Sequence, residues 1–223
     1  PLTHVAAVNV FVRAFELGTI PVDLRNHSGE YPRVNFTAIV PTQLFRALNG
    51  DDHLLKHLQG AQKVLVGGAA LSSAIRNQAT AAGINVVTTY GMSETSGGCV
   101  YNGEALGGYE IKIVDELVQI KSESLAWGYR DGQPLNGIWH SKDRGEIVDG
   151  KLRILGRSDS VIKVAGISVD LQDLENQLQQ RFPNQEIVVV GQSDQQYGFI
   201  PLVISNKEIS NISDVVNEVL KSS

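Results

Sequence analysis

Between residues 36 and 90 the chain repeats one unit: a short apolar run, a break marked by glycine or proline, a stretch with helical spacing, and a terminating glycine. The run 36–40 meets Pro41-Thr42, where the proline's missing N–H falls harmlessly in the first turn of a helix that Asn49-Gly50 ends. Lys63-Val64-Leu65-Val66 then runs into Gly67-Gly68, Ser72 is placed to cap a helix through Ala82, Gly83 stops it, and residues 85–90 form the next strand. Strands that are apolar on consecutive residues and separated by helices predict a parallel sheet covered on both faces. Upstream, apolar residues recur at helical spacing over 3–17 with Gly18 as a stop, and Ile20-Pro21-Val22 reads as a short buried strand.

Past Gly97 the texture changes. Residues 109–114 and 117–121 alternate as short strands, and 146–155 form a hairpin around Asp149-Gly150. A compact β-α-β-β-α pattern follows: a strand at 161–164, a helix capped by Asp170 and running to 180, strands at 187–190 and 199–204, and a last helix from Ser213. The expected fold class is α/β: the carboxyl-terminal portion of a large α/β domain with an antiparallel β section, residues 1–158, followed by a small α+β domain, residues 159–223. The polar stretch 25–33 is the one loop-like interruption of note.

Charge and cysteine content narrow the partners. Nineteen Lys and Arg stand against twenty-four Asp and Glu, a formal charge of −5, and the bases are scattered, so an electrostatic footprint for nucleic acid or anionic membrane is missing. The one cysteine, Cys99, has no intramolecular disulfide partner, which fits a reducing compartment and makes the cytoplasm the default location. Apolar runs are strand-length, far short of the roughly 20 residues of a membrane helix. Pro1-Leu2-Thr3-His4 carries neither initiator Met nor basic leader and reads as the middle of a longer gene product.

Two strand ends deliver loops able to receive a ligand: Gly67-Gly68-Ala69, and Tyr90-Gly91-Met92-Ser93-Glu94-Thr95-Ser96-Gly97-Gly98. Ligands of open α/β sheets sit at the carboxyl ends of strands, and glycines let a ring or phosphate approach the backbone. Ser93, Thr95 and Ser96 offer donors to phosphate oxygens, and Glu94 is the one acid among them, suited to a hard cation bridging the same oxygens. A polar turn after a buried strand explains these residues equally well, and neither loop is a Walker or dinucleotide fingerprint. Asp143 can accept both hydroxyls of a ribose and Arg157 can donate to that sugar or an adjoining phosphate, though Asp143, Arg144, Arg157 and Asp159 each also suit a surface ion pair worth under about 1 kcal/mol. His4 reads alone as an ordinary histidine at the buried edge of a helix, and His53 with His57 as a solvated helix face rather than a metal pair.

Taken in order, Tyr90-Gly91-Met92-Ser93-Glu94-Thr95, Asp143, Leu155-Gly156-Arg157-Ser158-Asp159-Ser160-Val161-Ile162-Lys163 and Gly166 resemble the core motifs of the acyl-CoA synthetase, peptide-synthetase adenylation-domain and luciferase superfamily. Within it, Pro1-Leu2-Thr3-His4-Val5, Phe36-Thr37-Ala38-Ile39-Val40-Pro41-Thr42-Gln43-Leu44, Val64-Leu65-Val66-Gly67-Gly68-Ala69-Ala70 and Ser96-Gly97-Gly98-Cys99-Val100-Tyr101 most resemble the o-succinylbenzoate–CoA ligases of menaquinone synthesis. The resemblance implies an ATP-dependent ligase that activates a small carboxylic acid as acyl-AMP with loss of pyrophosphate, then transfers it to coenzyme A. It implies Ser93 on phosphate, Glu94 on Mg²⁺, and Tyr90 packed on adenine within a binding stretch that includes Gly91 and Met92. Gly67, Gly68 and Ala69 would form the wall between nucleotide and acid, Asp143 and Arg157 would hold the ribose, and His4 would line the acid pocket. Asp159 would be the hinge of the small domain, and Gly166 would open the coenzyme A channel.

Three departures stand out: Ser93 replaces the usual Thr, Ser141-Lys142 replaces Thr-Gly before Asp143, and Ala165-Gly166-Ile167 replaces Gly-Gly-Glu/Asn. The family's phosphate-gripping loop would precede Pro1 and its adenylation lysine would follow Ser223, so a polypeptide of these residues alone is expected to be a poor adenylating catalyst. Alternatives are a ligase of another acyl or aryl acid, or a truncated homologue that binds acyl-adenylate without catalysis. Oligomeric state, a homo-oligomer included, is left open.

Overall fold

The computed structural model describes residues 3–24, 29–130, 132 and 134–222, with the main chain alone from 219 onward; Pro1, Leu2 and the first part of the polar stretch 25–33 lie outside them. Helix α1 (Val5–Glu16) opens the chain, followed by strand β1 (Phe36–Ile39), helices α2 (Pro41–Leu48) and α3 (Asp52–Gly60), β2 (Lys63–Val66), α4 (Ser73–Ala81), β3 (Val86–Met92), β4 (Gly97–Tyr101) and the short β5 (Glu104–Ala105). These strands make one five-stranded sheet in chain order: β1, β2 and β3 are parallel, and β4 and β5 continue it antiparallel.

The helices form where local chemistry favours them. Pro41 opens α2, and the Gln43 side chain accepts from the Val40 N–H at 3.0 Å. Asp51 caps α3 through the Leu54 N–H at 3.1 Å, and Ser72 caps α4 through the Ile75 N–H at 3.3 Å. All three helices lie over one sheet face, burying Leu44, Leu58, Ile75 and Ala79 against Ile39, Val64 and Val66. On the opposite face, among the described residues, Phe36 of β1, out of phase with that core, is 55% exposed, so the expected cover is not seen at that strand.

Two further expectations fail near the chain start. Ile20-Pro21-Val22 is neither strand nor buried, with Ile20 90% exposed. An apolar triplet becomes a strand only with a ladder to join, and among the described residues none is offered here. Helix α1 buries only Ala14 among its residues, leaving Phe11, Val12 and Phe15 exposed. It is tied to the turn before β4 and to β4 by polar contacts, Asn9 Nδ2 donating to the Ser96 carbonyl at 2.8 Å and Arg13 to the Tyr101 hydroxyl at 3.0 Å.

A second sheet is an antiparallel meander of β6 (Glu110–Val114), β7 (Leu117–Lys121), β8 (Ile138–Val148) and β9 (Lys151–Arg157). The β8–β9 hairpin turns at Asp149 and Gly150, both at positive φ, as the Asp-Gly pair predicts. After a 3₁₀ turn, Ser158–Ser160, come β10 (Val161–Val164), β11 (Ile167–Asp170), α5 (Leu171–Arg181), β12 (Ile187–Asp194), β13 (Gly198–Ser205) and α6 (Ile212–Ser222). The third sheet has the order β11-β10-β13-β12 and rests on Leu171, Leu174 and Leu178 of α5. Asp170 caps α5 as expected, its Oδ1 accepting from the Gln172 N–H at 3.0 Å.

Candidate functional site

The carboxyl-terminal part of β3, the middle of β8 and the end of β9 with the turn after it bring four of the singled-out residues together. Asp143 and Arg157 are register partners across β8 and β9. Asp143 is 8% exposed, and its carboxylate is approached from two sides, by the Tyr90 hydroxyl at 2.8 Å on Oδ2 and Arg157 Nη1 at 3.3 Å on Oδ1. Arg157 also grips Asp159 with a fork, Nε to Oδ1 at 2.8 Å and Nη2 to Oδ2 at 2.9 Å. Tyr90, Asp143, Arg157 and Asp159 are thus one hydrogen-bonded chain.

The electrostatics follow from these contacts. Burial first, and then the bond to Asp143, push the Tyr90 hydroxyl far above the ordinary phenol range, so it stays a donor. The Arg157 fork holds the Asp159 carboxyl down at about 2. Lys142 lies 3.4 Å from Asp159 Oδ2, so the charge that departs from the family pattern is directed to the hinge candidate and not to Asp143.

The turn after β3 sorts its hydroxyls. Thr95 is 1% exposed and spends its Oγ1 inside the turn, accepting from the Met92 N–H at 2.9 Å and donating to the Gly97 carbonyl at 2.6 Å. Ser96 donates to the Ser124 carbonyl at 2.8 Å. These two serve the backbone, which corrects their reading as phosphate donors; of the three, Ser93 alone is exposed without a side-chain partner among the described residues. Glu94 is half-buried, with Oε1 accepting from the Tyr129 hydroxyl. Among the described residues no three His, Cys, Asp or Glu side chains gather as a metal cluster. A single carboxylate nevertheless suits Mg²⁺ carried in on nucleotide phosphates, because that ion keeps most of its coordination for phosphate and water.

The glycines have structural duties first. A Cβ on Gly67 would stand 2.1 Å from Thr89 Oγ1, and one on Gly91 would stand 2.0 Å from the Gly97 carbonyl oxygen, so both permit strand–strand approach. Gly68 turns the chain at φ +84°. Beside it Ala69 is exposed, so the Gly67-Gly68-Ala69 segment borders the open end of β2. Met92 accepts from Trp139 Nε1 through its sulfur at 3.0 Å. Gly166 sits with Ala165 in the β10–β11 hairpin at φ +88° and +49°, and a Cβ at Gly166 meets nothing within 4 Å. His4 is the exposed N-cap of α1 and makes no side-chain cap bond, so the buried-edge reading does not hold. Nor is His57 on a solvated face: it is 7% exposed and lies 3.0 Å from the Pro32 carbonyl.

Sequence reasoning missed Tyr129, and it named Arg144 only as suited to an ion pair, without its partner. Tyr129 lies 35 positions from Glu94, and its only local signal is a Trp127-Gly128-Tyr129 pair of aromatics inside a loop. Arg144 pairs with Asp170, the α5 cap, across 26 positions. A shallow groove lined by Ile111, Ile113, Val114, Gly145 and Ile147 holds none of the candidate residues.

Comparison with known proteins bears on this geometry. The sequence profile of the family described as AMP-binding enzyme matches residues 10–122. A protein named probable 2-succinylbenzoate–CoA ligase from Mycobacterium tuberculosis is 34% identical over 221 residues, covering 89% of this chain and 57% of that protein. The structure of wild-type E. coli MenE with a bound m-phenylether-linked analogue of OSB-AMS superposes with a TM-score of 0.67 at 26% identity, over 98% of this chain and 52% of that one. Bacillus subtilis o-succinylbenzoate CoA synthetase, in complex with the acyl-adenylate intermediate OSB-AMP, gives 0.72 at 20% identity over 98% and 53%, a likeness of fold. The chain spans about half the length of the relatives it matches. Among the described residues no helix is long and apolar enough to cross a membrane.

Proposed function

The chain belongs to the AMP-binding enzyme family, and from that premise we propose that it forms the carboxyl-terminal part of a ligase that activates o-succinylbenzoate as its acyl-adenylate and passes it to coenzyme A. One observation carries the reading: a nearly buried carboxylate, Asp143, is aimed at the end of a parallel strand and shares its oxygens between Tyr90 and Arg157. A carboxylate with two lone pairs per oxygen is suited to a vicinal diol, and the guanidinium beside it to the sugar or its phosphate. The named relatives support the acid and the thiol.

In this reading a carboxylate oxygen of the acid attacks the α-phosphorus of ATP, the bond to the bridging oxygen breaks, and pyrophosphate leaves. The thiol sulfur of coenzyme A then attacks the acyl carbon, its proton passes to solvent, and AMP leaves with the electron pair. Asp143 and Arg157 hold the ribose, Tyr90 packs by the base, and Gly67, Gly68 and Ala69 form the partition between nucleotide and acid. Gly91 and Met92 shape the backbone behind the nucleotide, Ser93 donates to a phosphate oxygen, and His4 lines the acid pocket. Glu94 holds Mg²⁺, which supplies charge neutralisation at the phosphates. Residues 159–223 act as a mobile domain with Asp159 as hinge and Gly166 flanking the pantetheine path; one such residue can absorb a large φ/ψ change between half-reactions. A cytoplasmic location goes with this reading, supported by a single cysteine that has no disulfide partner within the chain.

The test is pyrophosphate release by the intact gene product carrying this chain, with ATP and Mg²⁺, offering o-succinylbenzoate against benzoate, fatty and amino acids. Release dependent on o-succinylbenzoate, with a thioester formed once coenzyme A is added, is expected. Release with another acid discards the menaquinone assignment, and no release with any acid leaves a non-catalytic adenylate binder.

A further inference from the structure

One loop holds Glu94 at two points. The Ala126 N–H donates to its backbone carbonyl at 2.7 Å, and the Tyr129 hydroxyl donates to its Oε1. Both donors lie in the segment joining β7 to β8, and that segment is fastened to the same turn elsewhere. Ser96 bonds the Ser124 carbonyl at 2.8 Å, and Trp139, at the start of β8, donates to the Met92 sulfur at 3.0 Å. The Tyr129 ring meets Trp139 edge-on, with centroids 6.1 Å apart and planes at 65°. The loop is closed on itself by the Gly128–Pro134 bridge and the Leu135 N–H to the Trp127 carbonyl at 2.9 Å. Tyr129 therefore reaches Glu94 from a braced position, although its ring is about half exposed.

A carboxylate on a flexible stem presents either oxygen in many directions; a donor fixed on one oxygen selects the direction of the other. Among the described residues Oε2 of Glu94 has no partner. We propose that Tyr129 is a positioning residue for Glu94, its hydroxyl occupying Oε1 so that Oε2 is the oxygen presented to the magnesium ion. The inference rests on the reading of Glu94 as the Mg²⁺ ligand and assigns a role to a residue 35 positions away that never meets the ion. A phenol hydroxyl is protonated at neutral pH and so serves as the donor in this contact, which the acceptor-only carboxylate cannot. Groups that orient a metal ligand in this way contribute on the order of tenfold or more to metal affinity.

The test is calorimetric titration of ATP into the intact gene product with no acid present, so that nothing turns over, once in EDTA and once in Mg²⁺. The readout is the gain in ATP affinity that Mg²⁺ confers. Tyr129→Phe, which keeps the ring against Trp139, is expected to leave the EDTA affinity and the melting transition unchanged while cutting the Mg²⁺ gain on the order of tenfold. Glu94→Gln is expected to abolish the gain. If Glu94→Gln abolishes it while Tyr129→Phe leaves it intact or enlarges it, the positioning role is overturned and the metal assignment stands. Equal loss in EDTA and in Mg²⁺ overturns it too, as a merely structural effect. A full gain in Glu94→Gln overturns the metal assignment itself, and the role of Tyr129 with it.

Discussion

Arg157 serves two acids at once, reaching Asp143 through Nη1 at 3.3 Å while its Nε and Nη2 hold Asp159 in a fork. Asp143 is nearly buried and Asp159 largely exposed, so one guanidinium joins the candidate ribose site to the candidate hinge. Replacing the Asp143 carboxylate by an amide removes its charge and one of its two acceptor oxygens, so Tyr90 and Arg157 can no longer each be met by a carboxylate oxygen. Asp143→Asn is expected to weaken ATP binding roughly tenfold, by one charge-assisted contact, with the loss read in KM for ATP.

Tyr90→Phe tests the same link from the other side. The ring and its packing remain, but a nearly buried carboxylate loses one of its donors, which costs about 1–3 kcal/mol. Urea unfolding should show a lower midpoint with an unchanged slope.

The exposed fork gives a pH prediction with a definite sign. The folded Asp159 carboxyl sits at about 2, below its ordinary value of 3.8. A depressed acid stabilises the fold above its unfolded pKa and loses that contribution as pH falls through the folded value, so this contact is complete above about pH 4 and gone near pH 2. The carboxyl carbon of Asp159, followed by NMR, should titrate near 2, and in Arg157→Ala the midpoint should climb back toward 3.8.

Glu94→Gln in the intact gene product should slow adenylation on the order of 10²-fold if the carboxylate holds the ion that neutralises the phosphates. Rates of pyrophosphate release within twofold of wild type would remove Glu94 from the metal site.

Gly67→Ala separates packing from ligand approach. The new methyl would meet Thr89 Oγ1 at 2.1 Å and its carbonyl at 3.1 Å, an overpacking that costs about 1–3 kcal/mol. Adding Thr89→Ala removes the nearer atom and should recover much of the melting temperature. Nucleotide affinity that stays low in the stabilised double variant would mark Gly67 as part of the ligand wall as well.

Elements whose cause is local were legible from the residues: the helix capped by Ser72, the one capped by Asp170, and the hairpin at Asp149-Gly150 all form where their caps and turns predict. Strands whose cause is distant were not. Gly97-Gly98 reads as loop, yet it opens β4 because Gly91 lets the Gly97 carbonyl come against β3. Strand β11 was hidden behind Ala165, an unusual residue for a left-handed turn. The same division runs through the site. Asp143 and Arg157 are 14 positions apart and share a hairpin, so their pairing follows from its register. Thr95 looked like a ligand donor because nothing local says that its hydroxyl closes its own turn. Tyr129 and Arg144 find Glu94 and Asp170 only through the meeting of separate sheets and loops.

Helix α1 has a practical side. With Phe15 84%, Leu17 62% and Ile20 90% exposed, this helix and the residues just after it set several large apolar side chains in water. Patches of that kind seek one another, and a formal charge of −5 offers little repulsion against it. Handled as these residues alone, the material should be colloidally fragile, clumping as it is concentrated and clearing with mild detergent.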